Sequence, residues 1–487
     1  MLVTIGMMTK DCQPSIGGTQ PASPGQVPLC SANPPGPRGL PLLGSLLDVK
    51  RDRLGFLATL REEFGDIVMF RMGHKPVYFI NCPDGVRRVL RDNHRNYKKG
   101  VGLTHAKQLI GDGLLTSEGA LWQRQRRMAR SAFEQGAVCA YAPAVNAAVQ
   151  AMCVRWDASR ERNTGIRIFS EMSRLTLDIL VRCLGGADFA YRAETVETAF
   201  RVATEHAMHR MTALFECTAR LPTPRNRRFV RALRDLEEVV HGLIANRRCS
   251  SDKPPDLLST LLRARDENGA EMGDRQIRDE IMTILLAGHE TTACTLGWFW
   301  YLLAKNPDTR RKVREECDLT GPGCPVVADL SKCTYTNLAL RETMRLYPAV
   351  WLIPRKSIEA DVVAKFVIPA RSDVIISPYV LHRHPMHWHR PDEFAPERFQ
   401  PTVAERRDPH VYIPFGIGPR ACVGQSMGLL EAQLIILSVT RKYRLTLEDD
   451  CRIEPIPQLT LRPATDLIMG LELEEPQDGS MKSSPKA

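Results

Sequence analysis

The chain has no Cys-x-x-Cys pair and no short cysteine framework, although it carries fourteen cysteines in 487 residues. This excludes a disulfide scaffold of the secreted kind and predicts reduced thiols, as in a cytosol. No signal peptide pattern is present. The apolar run at the start, Met1–Met8, is far short of the roughly 20 residues that a membrane-spanning helix needs. There is no internal repeat. Nor is charge gathered into one tail: the net charge of +10 is spread along the chain, so a basic nucleic-acid-binding arm is not indicated. A basic patch for an acidic protein partner is equally compatible with that balance.

What is present is an ordinary globular composition, 43% hydrophobic and 25% charged. Residues 1–33 are rich in Pro, Gly, Ser and Gln and are expected to be disordered. Residues 34–473 are expected to form a single domain, followed by a flexible tail at 474–487.

The most informative stretch is Phe415-Gly416-Ile417-Gly418-Pro419-Arg420-Ala421-Cys422-Val423-Gly424. It reads as a tight glycine loop that delivers a cysteine to the start of a helix running from Gln425 to about Arg441. The helix dipole favours a thiolate at Cys422. A thiolate with glycines beside it and Arg420 two residues away suits a haem iron, with the arginine on a propionate.

Asp274 to Lys305 reads as one buried helix, capped by Asp274 and ended by Asn306-Pro307. It contains Ala287-Gly288-His289-Glu290-Thr291-Thr292, polar groups that a lipid-facing helix does not carry in mid-span. A buried carboxylate is costly unless it is used or paired, which makes Glu290 a functional candidate. Glu342-Thr343-Met344-Arg345 sets opposite charges three residues apart on a helix flanked by leucines, and so predicts a buried pair. Trp122 and Arg126 share one helical face. His382, His384, His387 and His389 lie close together but complete no tetrahedral zinc set.

The decapeptide resembles the haem-binding signature of the cytochrome P-450 superfamily at every fixed position. The other segments follow in that family's order, so the resemblance runs from Pro34 to about Leu473. It implies a mainly α helical prism with a small β-rich part, and haem b (iron protoporphyrin IX) held by Cys422 as metal ligand. Phe415, Gly416, Gly424, Ala287 and Gly288 would border the haem, and Trp122, Arg126, Arg355 and Arg420 would meet its propionates. Glu342, Arg345 and Arg398 would form a structural clamp. Glu290 would relay protons, Thr291 would hydrogen-bond reduced dioxygen, and Gly288 would clear space for dioxygen and substrate.

The implied activity is insertion of one oxygen atom from dioxygen into an apolar small molecule, by hydroxylation or epoxidation. Secondary-metabolite biosynthesis (terpenoid, polyketide or aromatic) is the expected setting. Fatty-acid hydroxylation, a haem–thiolate isomerase or peroxygenase, and a haem-based sensor are the alternatives. Microsomal relatives carry a membrane helix before the Pro34–Pro37 hinge, so a soluble, cytoplasmic, bacterial-type monomer is expected.

Only about 65 residues follow Cys422, below the ~100–150 typical of a domain. Electrons are therefore expected from NAD(P)H through ferredoxin and ferredoxin reductase, or equivalents, with docking at the Arg124–Arg130 cluster. Substrate contacts are expected from Lys98–Gly113, Thr204–Pro224, Val350, Trp351, Leu352 and Ile353, and from Leu459 within Gln458–Leu461.

Overall fold

The computed structural model describes residues 33–474 apart from 101–105, 108, 186–192, 213–222, 252, 253, 322 and 448–451. The terminal segments 1–32 and 475–487, and the middle of the Thr204–Pro224 substrate region, therefore lie outside the described residues.

Helices dominate, and the longest runs from Asp274 to Lys305, about 48 Å at 1.5 Å per residue. Its sequence explains its position: Trp298, Phe299 and Trp300 follow one another and all are buried, so the helix is packed on every side at that point. Burying such side chains stabilises by roughly 1.5–3 kcal/mol each. Asp274 is its first helical residue and not the cap, which is Gly273 in extended backbone. Asn306 ends the helix, and Pro307, which has no N–H to give, opens the next.

The Ile168–Gly185 helix lies along the long helix, and two glycines set how closely. A Cβ on Gly288 would come within 2.9 Å of Leu180, and one on Gly297 within 2.4 Å of Phe169. This corrects the expectation for Gly288: its missing side chain makes room for a neighbouring helix, not for dioxygen. Helices Ala142–Glu161, Ala193–Thr212, Pro224–Cys249 and Gln425–Lys442 complete the main core, the last of them within a residue of its expected bounds.

The β-rich part is a five-stranded sheet in the order Ile67–Met72, Lys75–Ile80, Asp373–Ile376, Ile353–Ser357, Tyr97–Lys99. Its first two strands form a hairpin, turning at Gly73 with φ 62°. The last strand, Tyr97–Lys99, pairs so that Lys99 lies opposite Arg355. None of the described cysteines is in a disulfide.

Candidate active site

The cysteine loop is held by its backbone. Cys422 N–H donates to Phe415 O at 2.8 Å and Gly416 N–H to Ile413 O at 3.0 Å, closing a tight ring ahead of the Gln425–Lys442 helix. Gly416 and Gly418 take φ of 67° and 72°, where a side chain is strained. Gly418 also has no room for one, since an added Cβ would lie 2.2 Å from Leu90 O. Burial pushes the Cys422 thiol up; the Gly424 N–H and the Arg126 guanidinium pull it down less strongly. The thiolate expected at Cys422 is the form that would bind a metal. A bound metal ion, which deprotonates a coordinating thiol, would supply it.

Behind the loop lies the clamp. Glu342 and Arg345 are both 0% exposed and meet through Nε–Oε2 at 2.7 Å and Nη2–Oε1 at 2.8 Å. Arg398 Nε adds a third contact to Glu342 Oε1 at 2.9 Å. The remaining Arg345 donors reach His382 O, Pro391 O and Glu393 O, so the guanidinium is fully hydrogen-bonded. His382 ties this unit to the loop, because its Nε2 accepts from Ile413 N–H at 2.9 Å. Burial pushes His382 down to about 3, which keeps the ring neutral and able to accept. His384 instead meets Asp66 at 2.9 Å.

A cluster of cations lies on the other side of the loop. Lys99, Arg355 and Arg420 surround one acid, Glu118. Arg420 pairs with Glu118 and stacks on Trp122 at 4.2 Å from the ring centre. Burial, with neighbouring cations, pushes Lys99 down to about 7 and Arg355 down to about 10. Burial also lowers Arg126, which senses the Cys422 sulfur. Like charges facing each other across a sheet, as Lys99 and Arg355 do, are destabilising unless an anion joins them. A group with two carboxylates and a metal to receive Cys422 thus fits these residues. Of the arginines expected to meet the propionates, Arg126 lies near the Cys422 sulfur and Arg355 near Arg420 and Glu118. Arg420 differs in being already paired with Glu118. Lys99 and Glu118 were not foreseen, because their placement depends on strand pairing and not on any local motif.

On the long helix, Ala287 and Thr291 share a face one turn apart. Thr291 Oγ1 donates to Ala287 O at 2.7 Å, so the hydroxyl is back-bonded and not held out for a ligand. Glu290 points about 100° away, as the helical period requires. Its Oε1 accepts from Thr460 Oγ1 at 2.7 Å and from Arg462 Nε at 2.9 Å. A cavity of about 1620 Å³ reaches the helix on that side, lined by His289, Glu290, Ala293 and Cys294 but not by Cys422.

The expected substrate residues divide. Trp351 belongs to the core beneath the sheet: it is 7% exposed, packs with Leu54, Leu57 and Phe70, and donates its indole N–H to Gln458 O at 2.8 Å. It is therefore a structural residue and not pocket lining. Val350 is 40% exposed, and Leu352, Ile353 and Leu459 are partly buried at the edges of three separate apolar clusters. Arg124 is also not a free docking charge. It pairs with Asp266 at 2.6 Å, while Arg127 and Arg130 reach only exposed acids.

A cysteine on a glycine loop, a cation cluster beside it and a polar break in a facing buried helix define a haem–thiolate enzyme. The sequence pattern of the Cytochrome P-450 family matches residues 34–469. Cyclooctatin synthase of Streptomyces melanosporofaciens is 37% identical over 87% of this chain and 92% of its own length. Pentalenene oxygenase of Streptomyces avermitilis is 30% identical over 90% and 97%. Cyclooctat-9-en-7-ol 5-monooxygenase of Streptomyces melanosporofaciens is 33% identical over 90% and 93%. Plant and human members match too. The crystal structure of the cytochrome P450DA haem domain superposes with a TM-score of 0.83 at 26% identity, over 92% of this chain and 99% of that one. The chain belongs to the cytochrome P-450 family and is a monooxygenase of the haem–thiolate type.

Proposed function

We propose that this monooxygenase oxidises a terpenoid, inserting one oxygen atom from dioxygen into an apolar carbon skeleton in secondary metabolism. The observation that carries the reading is end-to-end similarity, at 30–37% identity, to three Streptomyces enzymes named for cyclooctatin and pentalenene chemistry.

The haem, when bound, supplies the chemistry that activates dioxygen. Cys422 would be its ligand, and Arg126 and Arg355, with Arg420 and Lys99, would hold its propionates. The buried Glu342–Arg345–Arg398 unit keeps the loop in place from behind. Glu290 carries protons from the cavity side of the helix toward Thr291. That hydroxyl can accept while back-bonded, and donates once it turns away from Ala287 O. Ferredoxin-type partners deliver electrons to the soluble, cytoplasmic monomer, with Arg127 and Arg130, rather than Arg124, at the docking face.

The experiment is a titration of the ferric protein with terpene hydrocarbons and with fatty acids, following the haem spin state. A saturable high-spin shift with a terpene is expected. A shift with fatty acids and none with any terpene would replace this reading by the fatty-acid one.

A further inference from the structure

The hairpin that carries Leu459 also holds the acid of the long helix. Strands Pro455–Pro457 and Leu461–Pro463 pair with Pro457 opposite Leu461, and Thr460 and Arg462 from this unit both reach Glu290 Oε1. The unit is fixed by backbone contacts. Trp298 Nε1 donates to Leu461 O at 2.9 Å, Leu461 N–H to Ala349 O at 3.0 Å, and Trp351 Nε1 to Gln458 O at 2.8 Å. Arg462 is thus brought to Glu290 by a braced turn, not by a swinging surface side chain.

The two ends of the pair differ in solvent access. The Glu290 side chain is 3% exposed, and that of Arg462 is 41% exposed, so the pair runs from a buried helix face out to the cavity. Charged and titratable groups lining the same cavity include His289 and Cys294 on that helix, Arg462 on the hairpin, and Arg53, Glu197, Arg201, Arg225, Glu454 and Asp466, with further charges from residues 50–62 and from Arg383 and Asp392. Among the described residues, Arg462 is the cation that makes an ion pair with Glu290.

A carboxylate that relays protons must return to its charged form after each transfer, and burial opposes that form. An adjacent guanidinium favours it, and a guanidinium does not itself give up a proton in a protein. We propose that Arg462 is the positioning residue that holds the Glu290 carboxylate turned to the cavity, and that water in this cavity is the source of the protons. In each transfer cavity water gives one proton to the Glu290 carboxylate and takes one back from bulk solvent, the carboxyl passes its proton to Thr291 as that hydroxyl gives its own to reduced dioxygen, and every carrier is restored. This rests on the monooxygenase reading.

The holoenzyme is prepared as wild type, Arg462→Met, Arg462→Lys, Glu290→Gln and the Arg462→Met/Glu290→Gln double variant. Product formation by Arg462→Met is expected to fall about tenfold, part of the typical contribution of a positioned proton carrier. Haem content and the carbon monoxide spectrum stay unchanged, and Arg462→Lys recovers most of the rate. In the Glu290→Gln background Arg462→Met should have no further effect, the signature of two residues acting as one.

Infrared spectra near neutral pH give a readout independent of turnover. The Glu290 carboxylate stretch, identified by its loss in Glu290→Gln, should shift in Arg462→Met and be absent from the double variant. Additive effects of the two changes, an Arg462→Lys as slow as Arg462→Met, or an unshifted band in Arg462→Met would each overturn the proposal. Were Arg462→Met not recovered with haem, Arg462→Gln is read in the same way. A wild-type protein that consumes no oxygen with reductant would overturn the parent reading instead, and the infrared bands would still report on Arg462.

Discussion

Among the buried carboxylates, Glu342 and Glu290 stand in two regions with similar chemistry and opposite surroundings. Behind the cysteine loop, Glu342 meets two arginines, one of them wholly buried, and backbone carbonyls take up the other guanidinium hydrogens. On the far side of the long helix, Glu290 meets one half-exposed arginine at the wall of a large cavity. A fully satisfied, dry pair can only hold structure in place. A pair with one end in water can exchange protons. The difference lies in what surrounds the residues, since Glu and Arg are common to both.

Breaking the first region should have the larger effect. Glu342→Ala strands Arg345 in the interior, a loss of roughly 3–5 kcal/mol. Soluble yield and haem content should collapse together, and Arg345→Ala should do the same. Normal yield and haem content in either variant would remove the contrast altogether.

The second region should break without unfolding. Glu290→Gln is expected to slow turnover by about a hundredfold, within the range for a positioned acid–base group, while haem binding persists. Thr291→Ala should instead keep consuming oxygen and reductant but release hydrogen peroxide. The ratio of product to reductant, with peroxide assayed alongside, separates the two. Wild-type coupling in Thr291→Ala would make its back bond to Ala287 its whole role.

A third buried carboxyl sharpens the comparison by having no partner. Glu431, on the cysteine helix, has an Oε1 with no hydrogen bond, and burial pushes the group up to about 8. Because its folded value lies above the ordinary carboxylate value, the folded state binds the extra proton. Stability should therefore decline as pH rises from about 4.5 to about 8. Glu431→Gln should flatten that decline in thermal melts. An unchanged slope would show that Glu431 is paired in solution.

How much of this was legible in the sequence follows from the same contrast. Cys422, Glu342 and Arg345 stand in short stretches whose spacing alone defines their geometry: a loop with glycines at its bends, and a pair three residues apart on one helix. The long helix was legible from its terminators and its apolar length. Arg462, Thr460, Lys99 and Glu118 were not, because each acts on a residue far away in the chain and reaches it through a turn or a strand pairing. Trp351 was misplaced for a related reason. Apolar residues next to a presumed pocket read the same whether they line it or pack beneath it. Gly288 shows the converse, since a glycine in a helix reveals a close approach but not what approaches.

The central claim is that Cys422 carries the haem of a monooxygenase, and the carbon monoxide difference spectrum of the reduced protein tests it most directly. The wild type should show the long-wavelength Soret band of thiolate-ligated ferrous haem, and Cys422→Ser should lose that band while the other thirteen cysteines remain. A Cys422→Ser protein that kept the band unshifted would place the ligand on another cysteine and contradict the account.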